Sequence, residues 1–216
     1  MQTRGRTTEV QLLGDRDEVA QVAKLDIHMH TILIETNGIL DVLVCADDTA
    51  PVDLTIRPLQ DDSDAAAFRS LNEEWIERYF AIEAQDRRQL DDPVAAYIET
   101  GGEILIAEVD GRAVGCVALM PDGAGAYELS KMAIAPGVRG RGAGRSLLTA
   151  AIDHARALGA TSLFLGSSRK LANAVHLYEA LGFRHVARET LHMPYARADV
   201  FMALVLDAPA PAPASP

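Results

Sequence analysis

The chain has 216 residues, a formal net charge of −11 and a sequence pI of about 4.9. Its 49% hydrophobic and 24% charged residues suit one well-packed globular domain plus an extension. The acidic balance disfavours a nucleic-acid partner, no stretch is apolar enough to span a bilayer, and Cys45 and Cys116 stand too far apart for a metal pattern; a cytoplasmic protein with reduced thiols, no membrane partner and no metal is expected.

In chain order, residues 1–52 read as an extension. Runs 26–36 and 39–47 flank Asn37-Gly38, a pair suited to a type I′ hairpin turn. No Lys or Arg occurs between Leu25 and Ile56, which argues against a nucleic-acid-binding arm. His28-Met29-His30 puts two imidazoles on one strand face, but no third ligand is evident and an exposed strand is the reading. Residues 53–207 read as one α/β domain. The Pro/Ala tail 208–216 cannot build a core and is expected to be disordered.

Within the domain, 54–57 is a strand stopped by Pro58. Phe68, Leu71, Trp75 and Tyr79 then recur at helical spacing behind a cap at Asp62 or Ser63. Asp92-Pro93 opens a second short helix that Gly101-Gly102 closes. Strands 103–108 and 113–120 flank the hairpin pair Asp110-Gly111, and 127–134 follows. Helix 145–158 carries the stripe Leu147, Leu148, Ala151, Ile152, Ala155 and Leu158, with Gly159 just past its end. Strand 162–166, helix 171–181 and strands 183–191 and 200–206 complete a mixed sheet flanked by helices.

Between strand 127–134 and the helix after it lies Arg139-Gly140-Arg141-Gly142-Ala143-Gly144. A helix N-terminus presents free amides and a positive dipole end, glycines let the backbone approach a phosphate, and arginines add cationic donors. The pattern is a pyrophosphate cradle. It comes too late in the domain, and with the wrong glycine spacing, for a dinucleotide-binding Rossmann turn, and it lacks the Gly-Lys-Ser/Thr ending of a P-loop.

These residues resemble the GNAT superfamily of N-acetyltransferases, whose core pattern is Gln/Arg-x-x-Gly-x-Gly/Ala. Glu128-Leu129-Ser130-Lys131-Met132-Ala133-Ile134 is similar to the family's central strand, and Ala174-Val175-His176-Leu177-Tyr178-Glu179-Ala180-Leu181-Gly182-Phe183 to its Ala-x-x-Leu-Tyr-x-x-x-Gly-Phe element. The stretch from Leu71-Asn72-Glu73-Glu74-Trp75-Ile76 to Leu90-Asp91-Asp92-Pro93 resembles GNAT domains found fused to MarR-type regulators. The resemblance covers about residues 53–207 and leaves 1–52 unexplained. It implies an α/β (α+β) fold with a mainly antiparallel sheet and a splayed central strand pair. It also implies acetyl-CoA as co-substrate and direct acetyl transfer to a small-molecule or peptide amine. The pantetheine arm would pair with the backbone of Met132, Ala133 and Ile134, and the pyrophosphate would rest on Arg139, Gly140, Arg141, Gly142, Ala143 and Gly144. Whether the chain forms a homodimer stays open.

An amine such as a lysine side chain, with a reference pKa of ~10.4, must lose a proton before it attacks. Glu128 on the central strand is the first choice of base, with Glu73, Glu74 and Glu83 as alternatives; a solvated carboxylate or an ion pair with Lys131 would equally account for it. Tyr178 matches the family's Leu-Tyr position and is the candidate acid for the departing thiolate, or else a core aromatic. A backbone amide of Met132 or Ala133 would stabilise the oxyanion. Many family members carry Asn seven residues before the tyrosine, where Leu171 stands here; Asn173 receives no cofactor role, and Ser167 and Ser168 are the polar substitutes. Glu83, Asp86, Asp91 and Asp92 form an acidic cluster that a solvated helix face and cap would explain as well as a cationic acceptor would. The competing class is a non-catalytic acyl-CoA-binding regulatory or sensor module.

Overall fold

The structure, a computed structural model, describes residues 52–191 and 195–206 and the strand backbone of 30–36 and 39–45. The chain divides into two compact units, Met1–Asp48 and Thr49–Pro216. In the first, β1 (His30–Thr36) and β2 (Ile39–Cys45) pair antiparallel, with Thr36 opposite Ile39. Asn37-Gly38, His28, Met29 and the 208–216 tail lie outside the described residues.

The second unit is a seven-stranded sheet in the order β3-β4-β5-β6-β7-β9-β8. Its strands are β3 (Thr55–Pro58), β4 (Glu103–Val109), β5 (Arg112–Pro121), β6 (Ala126–Ile134), β7 (Ser162–Ser167), β8 (Arg184–His185) and β9 (Val200–Val205). The β6–β7 contact is parallel, whereas the other pairings are antiparallel. The Asp110-Gly111 turn joins β4 to β5 with φ of +50° and +72°, both left-handed as a type I′ turn requires.

Helices cover both faces. α1 (Asp62–Tyr79), α2 (Ala84–Asp91) and a π-type turn (Val94–Ile98) pack on one, and α3 (Ala143–Ala157) and α4 (Ala172–Ala180) on the other. Alternation sorts the central strands between two cores. Ile104, Ile106, Cys116 and Ala118 join Phe68, Ile76 and Leu90, while Leu105, Ala107, Val117 and Leu119 join Leu147, Leu148, Ala151 and Ala155. Because both faces are buried, these strands read as continuous apolar runs.

Several expectations are corrected. The cap of α1 is Asp61, whose side chain accepts from the Asp64 amide at 3.0 Å, so Asp62 and Ser63 fall inside the helix. α2 was not anticipated: its sequence has one large apolar residue, Leu90, and so no periodicity. It is closed instead by Asp86 accepting from the Glu83 amide at 2.9 Å. Leu158 is the C-cap of α3 and 40% exposed, outside the buried stripe. The strand expected over 183–191 shrinks to Arg184–His185, after which the chain turns through Arg188–Thr190. A very short edge strand carrying an arginine offers little for further pairing.

The two-unit division places every site element after Asp48. A chain beginning at Pro51 is expected to fold cooperatively and to bind acetyl-CoA as the full chain does; thermal unfolding and calorimetry check both, and failure to fold would assign the β1–β2 hairpin a structural role.

Candidate active site

The site is built on a parting of strands. β6 and β7 pair where Ala126, Tyr127 and Glu128 face Ser162, Leu163 and Phe164. Beyond Glu128, β6 continues on β5, while Leu165, Gly166 and Ser167 of β7 pair with β9. The gap leaves one edge of β6 without a ladder partner among the described residues, and backbone polar groups there need another. A cleft of about 480 Å³ opens at this point. Glu128, Tyr178, Met132, Ala133, Ile134, Arg139, Gly140 and Gly144 line it together with Ser167, Ser168 and Asn173. Arg141, Gly142 and Ala143 stand in the same turn without lining the cleft.

The glycine turn leads into α3. Gly140 and Gly142 have φ of +78° and +85°, and a Cβ at either would meet nothing within 4 Å. Both therefore border open space in a conformation that favours glycine. The first bond of the helix runs from the Ser146 amide to the Gly142 carbonyl at 3.1 Å, so Gly142, Ala143 and Gly144 precede the hydrogen-bonded turns. Gly144 faces α4, where a Cβ would lie 3.4 Å from Leu177 Cδ2, an ordinary packing distance. Open space, early amides and the helix dipole fit a pyrophosphate. The Arg139 side chain is engaged elsewhere, donating to the Ile134 carbonyl and to Glu74, each at 2.7 Å.

Glu128 is 9% exposed, and its Oε1 is buried with no hydrogen-bond partner among the described residues. Burial pushes its carboxyl above the ordinary range, the Lys131 charge opposes that, and Asp122 adds to it. Glu128 is largely buried, and the direct ion-pair contact of Lys131 is with Asp86, at 3.1 Å, while its charge also acts on Glu128. The alternative bases are all held by arginines. Glu73 is bonded by Arg69 and Arg87, Glu74 by Arg139, and Glu83 by Arg197. Tyr178 sits across the gap on α4, its ring edge-on to Phe183 at 5.8 Å. It is 8% exposed, and burial pushes its phenol up to about 12. It is thus both a core aromatic and a lining residue of the cleft.

A family model described as the acetyltransferase (GNAT) family matches residues 65–183. The chain belongs to that family. The uncharacterized N-acetyltransferase YjgM of Escherichia coli is 32% identical over 100 residues, covering 45% of this chain and 60% of the relative. The chain thus spans less than two thirds of that relative's length. The uncharacterized N-acetyltransferase C1271.07c of Schizosaccharomyces pombe is 29% identical over 139 residues, 62% of this chain and 85% of the other. Among solved structures, yncA of Salmonella typhimurium, determined with its cofactor acetyl-CoA, superimposes with a TM-score of 0.56 at 27% identity over 71% of this chain and 94% of its own. A GNAT-family acetyltransferase of Staphylococcus aureus matches in fold with a TM-score of 0.66 at 20% identity, over 72% and 100% of the two chains. The mainly antiparallel sheet with one parallel, splayed pair is the GNAT fold. Among the described residues no helix is long and apolar enough to cross a membrane, and no group of side chains could hold a metal ion.

The GNAT site contains residues that sequence reasoning missed. At β6 the register with β5 shifts: Ser130 faces Ala118 and Ala133 faces Cys116, leaving Lys131 and Met132 opposite Val117. Lys131 takes φ of +50° at this bulge. Its Nζ reaches Asp86 and donates to the Tyr195 hydroxyl at 2.7 Å. Asp86, fully buried, also takes two Arg197 bonds of 2.6 and 2.7 Å. Burial pulls Asp86 upward, but these bonds and the Lys131 charge outweigh it and hold the carboxyl below its usual range. The acidic cluster divides, with Asp91 and Asp92 on an exposed face and Asp86 buried. Asp86 is a buried anchor, Asp92 caps the Ala95 amide at 3.0 Å, and Asp91 pairs with Arg69 at 2.6 Å. A lysine among the residues of a central strand buried on both faces was the available signal.

Gly142→Glu would place a side chain and a negative charge in the open space at a left-handed position. Acetyl-CoA affinity measured by calorimetry is expected to fall by two orders of magnitude or more, roughly the cost of several charge-assisted contacts, with the fold retained by circular dichroism.

Proposed function

We propose that this chain transfers an acetyl group from acetyl-CoA to a primary amine, on a small molecule or a peptide, by direct attack in a ternary complex. The observation that carries the reading is Glu128, a buried carboxylate with an unpartnered oxygen at the mouth of the β6–β7 gap, while the competing carboxylates are taken by arginines. Acetyl-CoA, when bound, supplies the acetyl group as a thioester. The backbone of Met132, Ala133 and Ile134 offers its ladder groups to the pantetheine arm in the gap. Arg139, Gly140, Arg141, Gly142, Ala143 and Gly144 form the turn that holds the pyrophosphate.

Glu128 accepts the proton that the incoming ammonium must lose. Burial supports this role, because a carboxyl raised above its ordinary range is a better proton acceptor near neutral pH. Tyr178 is the proton donor for the departing thiolate; with its phenol pushed up to about 12 it keeps its proton at neutral pH. Amides of the β6 edge, Met132 or Ala133, face the charge that develops on the carbonyl oxygen.

Glu128→Gln keeps the shape and removes the proton acceptor. The rate is expected to fall about 10²–10⁴-fold at neutral pH and to recover in part at high pH, where the amine is already deprotonated. A pH–rate profile on one good acceptor checks this, and a parent-like rate would remove Glu128 from the chemistry. Tyr178→Phe retains the packing against Phe183. It is expected to lower kcat with acetyl-CoA affinity unchanged; full activity would leave Tyr178 as packing alone. Acetyl-CoA binding without thiol release on a broad amine panel would favour the non-catalytic acyl-CoA-binding module.

A further inference from the structure

We propose that Lys131 is a positioning residue: from the bulge of β6 its ammonium supplies the cation that Glu128 works against, and it pins Tyr195 as a wall of the acceptor end of the cleft. The proposal rests on the assignment of Glu128 as the base.

The strand's alternation shows what the bulge does. Leu129, Met132 and Ile134 pack toward the α3 core, and Ala133 toward the α1 core; Ser130 bonds Tyr97, which also belongs to the α1 side. Regular alternation would send Lys131 to the Leu129 side, into an apolar core. The extra residue and the left-handed turn at Lys131 instead put it on the face of Ser130 and Glu128, toward α2. A non-glycine residue persists at positive φ where its surroundings over-determine it. Here they do: Asp86 at 3.1 Å, the Tyr195 hydroxyl at 2.7 Å and the Tyr195 ring at 4.5 Å hold the Nζ, and the Cys116 thiol lies 3.7 Å from the Lys131 carbonyl.

Two consequences meet in the cleft. Tyr195 accepts from Lys131 and donates to Gln89, while Arg197 stacks on its ring at 4.6 Å and is itself held by Asp86 and Glu83. Removing the Lys131 donor loosens the segment that carries Tyr195 and Arg197, both of which line the cleft. The charges around Glu128 are also unequal. Lys131 on its own strand favours the carboxylate, whereas Asp122 after β5 opposes it, and the phenols of Tyr97 and Tyr195 face it uncharged. Arg197 pairs with Glu83 and Asp86, and its like charge acts against that of Lys131. Among the described residues, Lys131 is the one cation that offsets the burial of Glu128.

The test is the pH profile of kcat/KM for one amine acceptor in the parent, Lys131→Met, Lys131→Arg, Tyr195→Phe and Glu128→Gln, with acetyl-CoA affinity by calorimetry as the check on folding. Without the ammonium, Glu128 holds its proton to higher pH, so the acid limb of Lys131→Met is expected to move up by about one pH unit or more. The amine KM is expected to rise on the order of tenfold, and Lys131→Arg to restore the limb. A Lys131→Met enzyme that binds acetyl-CoA normally and keeps the parent limb overturns the proposal. If Lys131→Met does not fold, Tyr195→Phe decides. That variant leaves the ammonium and Asp86 in place, so a raised amine KM with an unmoved limb supports the proposal and an unchanged KM overturns it. A normal acid limb in Glu128→Gln would overturn the base assignment instead, so the two failures are separable.

Discussion

β6 and β7 share hydrogen bonds through Glu128 and then part, and the cleft of the molecule opens at that parting. Two strands that separate inside a sheet leave backbone amides and carbonyls facing each other across a gap, a costly arrangement unless something polar fills it. β7 keeps its ladder to β9 on its far edge along its full length, from Ser162 opposite Val205 to Ser167 opposite Val200. β6 keeps its ladder to β5 on the other edge. What remains is a slot lined by main chain, continuous at one end with the glycine turn before α3. A ligand with amides along a flexible arm and a phosphate group at its end matches both halves of that slot.

The second constraint is electrostatic. Asp86 is fully exposed to the protein and not to water, and a buried carboxylate demands partners. Lys131 and Arg197 supply them from two separate parts of the chain, so one acid ties α2, the β6 bulge and the segment before β9 into a single wall. Breaking a buried pair of this kind typically costs about 3–5 kcal/mol, because a charge is left without compensation. With Asp86, Lys131, Arg197 and Glu83 satisfying one another, the unpartnered carboxylate at the cleft is that of Glu128.

How far the sequence was legible follows the same physics. The α3 stripe, the Asp110-Gly111 turn and the β4, β5 and β6 runs were readable because periodicity and turn chemistry act within a few residues. α2 was invisible, since Ala84–Asp91 has almost no apolar pattern and exists because Leu90 and Asp86 find partners elsewhere in the fold. The strand expected over 183–191 failed for the converse reason. Its residue types suit a strand, but as the edge of the sheet it has β9 alone to pair with, and its alignment lasts through Arg184 and His185.

By itself, then, the sequence determined the order of elements, the glycine turn ahead of α3, and the residues Glu128 and Tyr178 as chemically suited groups, because each is encoded in a short window. Tertiary structure alone decided which of the candidate carboxylates are engaged by arginines. Glu73, Glu74, Glu83 and Glu128 are equivalent as letters, and what separates them is the arginines that reach three of them from distant positions or neighbouring turns. The placement of Lys131 was likewise out of reach of the sequence. A one-residue bulge inverts the side on which a strand residue points, and the bulge is set by pairing with β5, which local spacing does not specify.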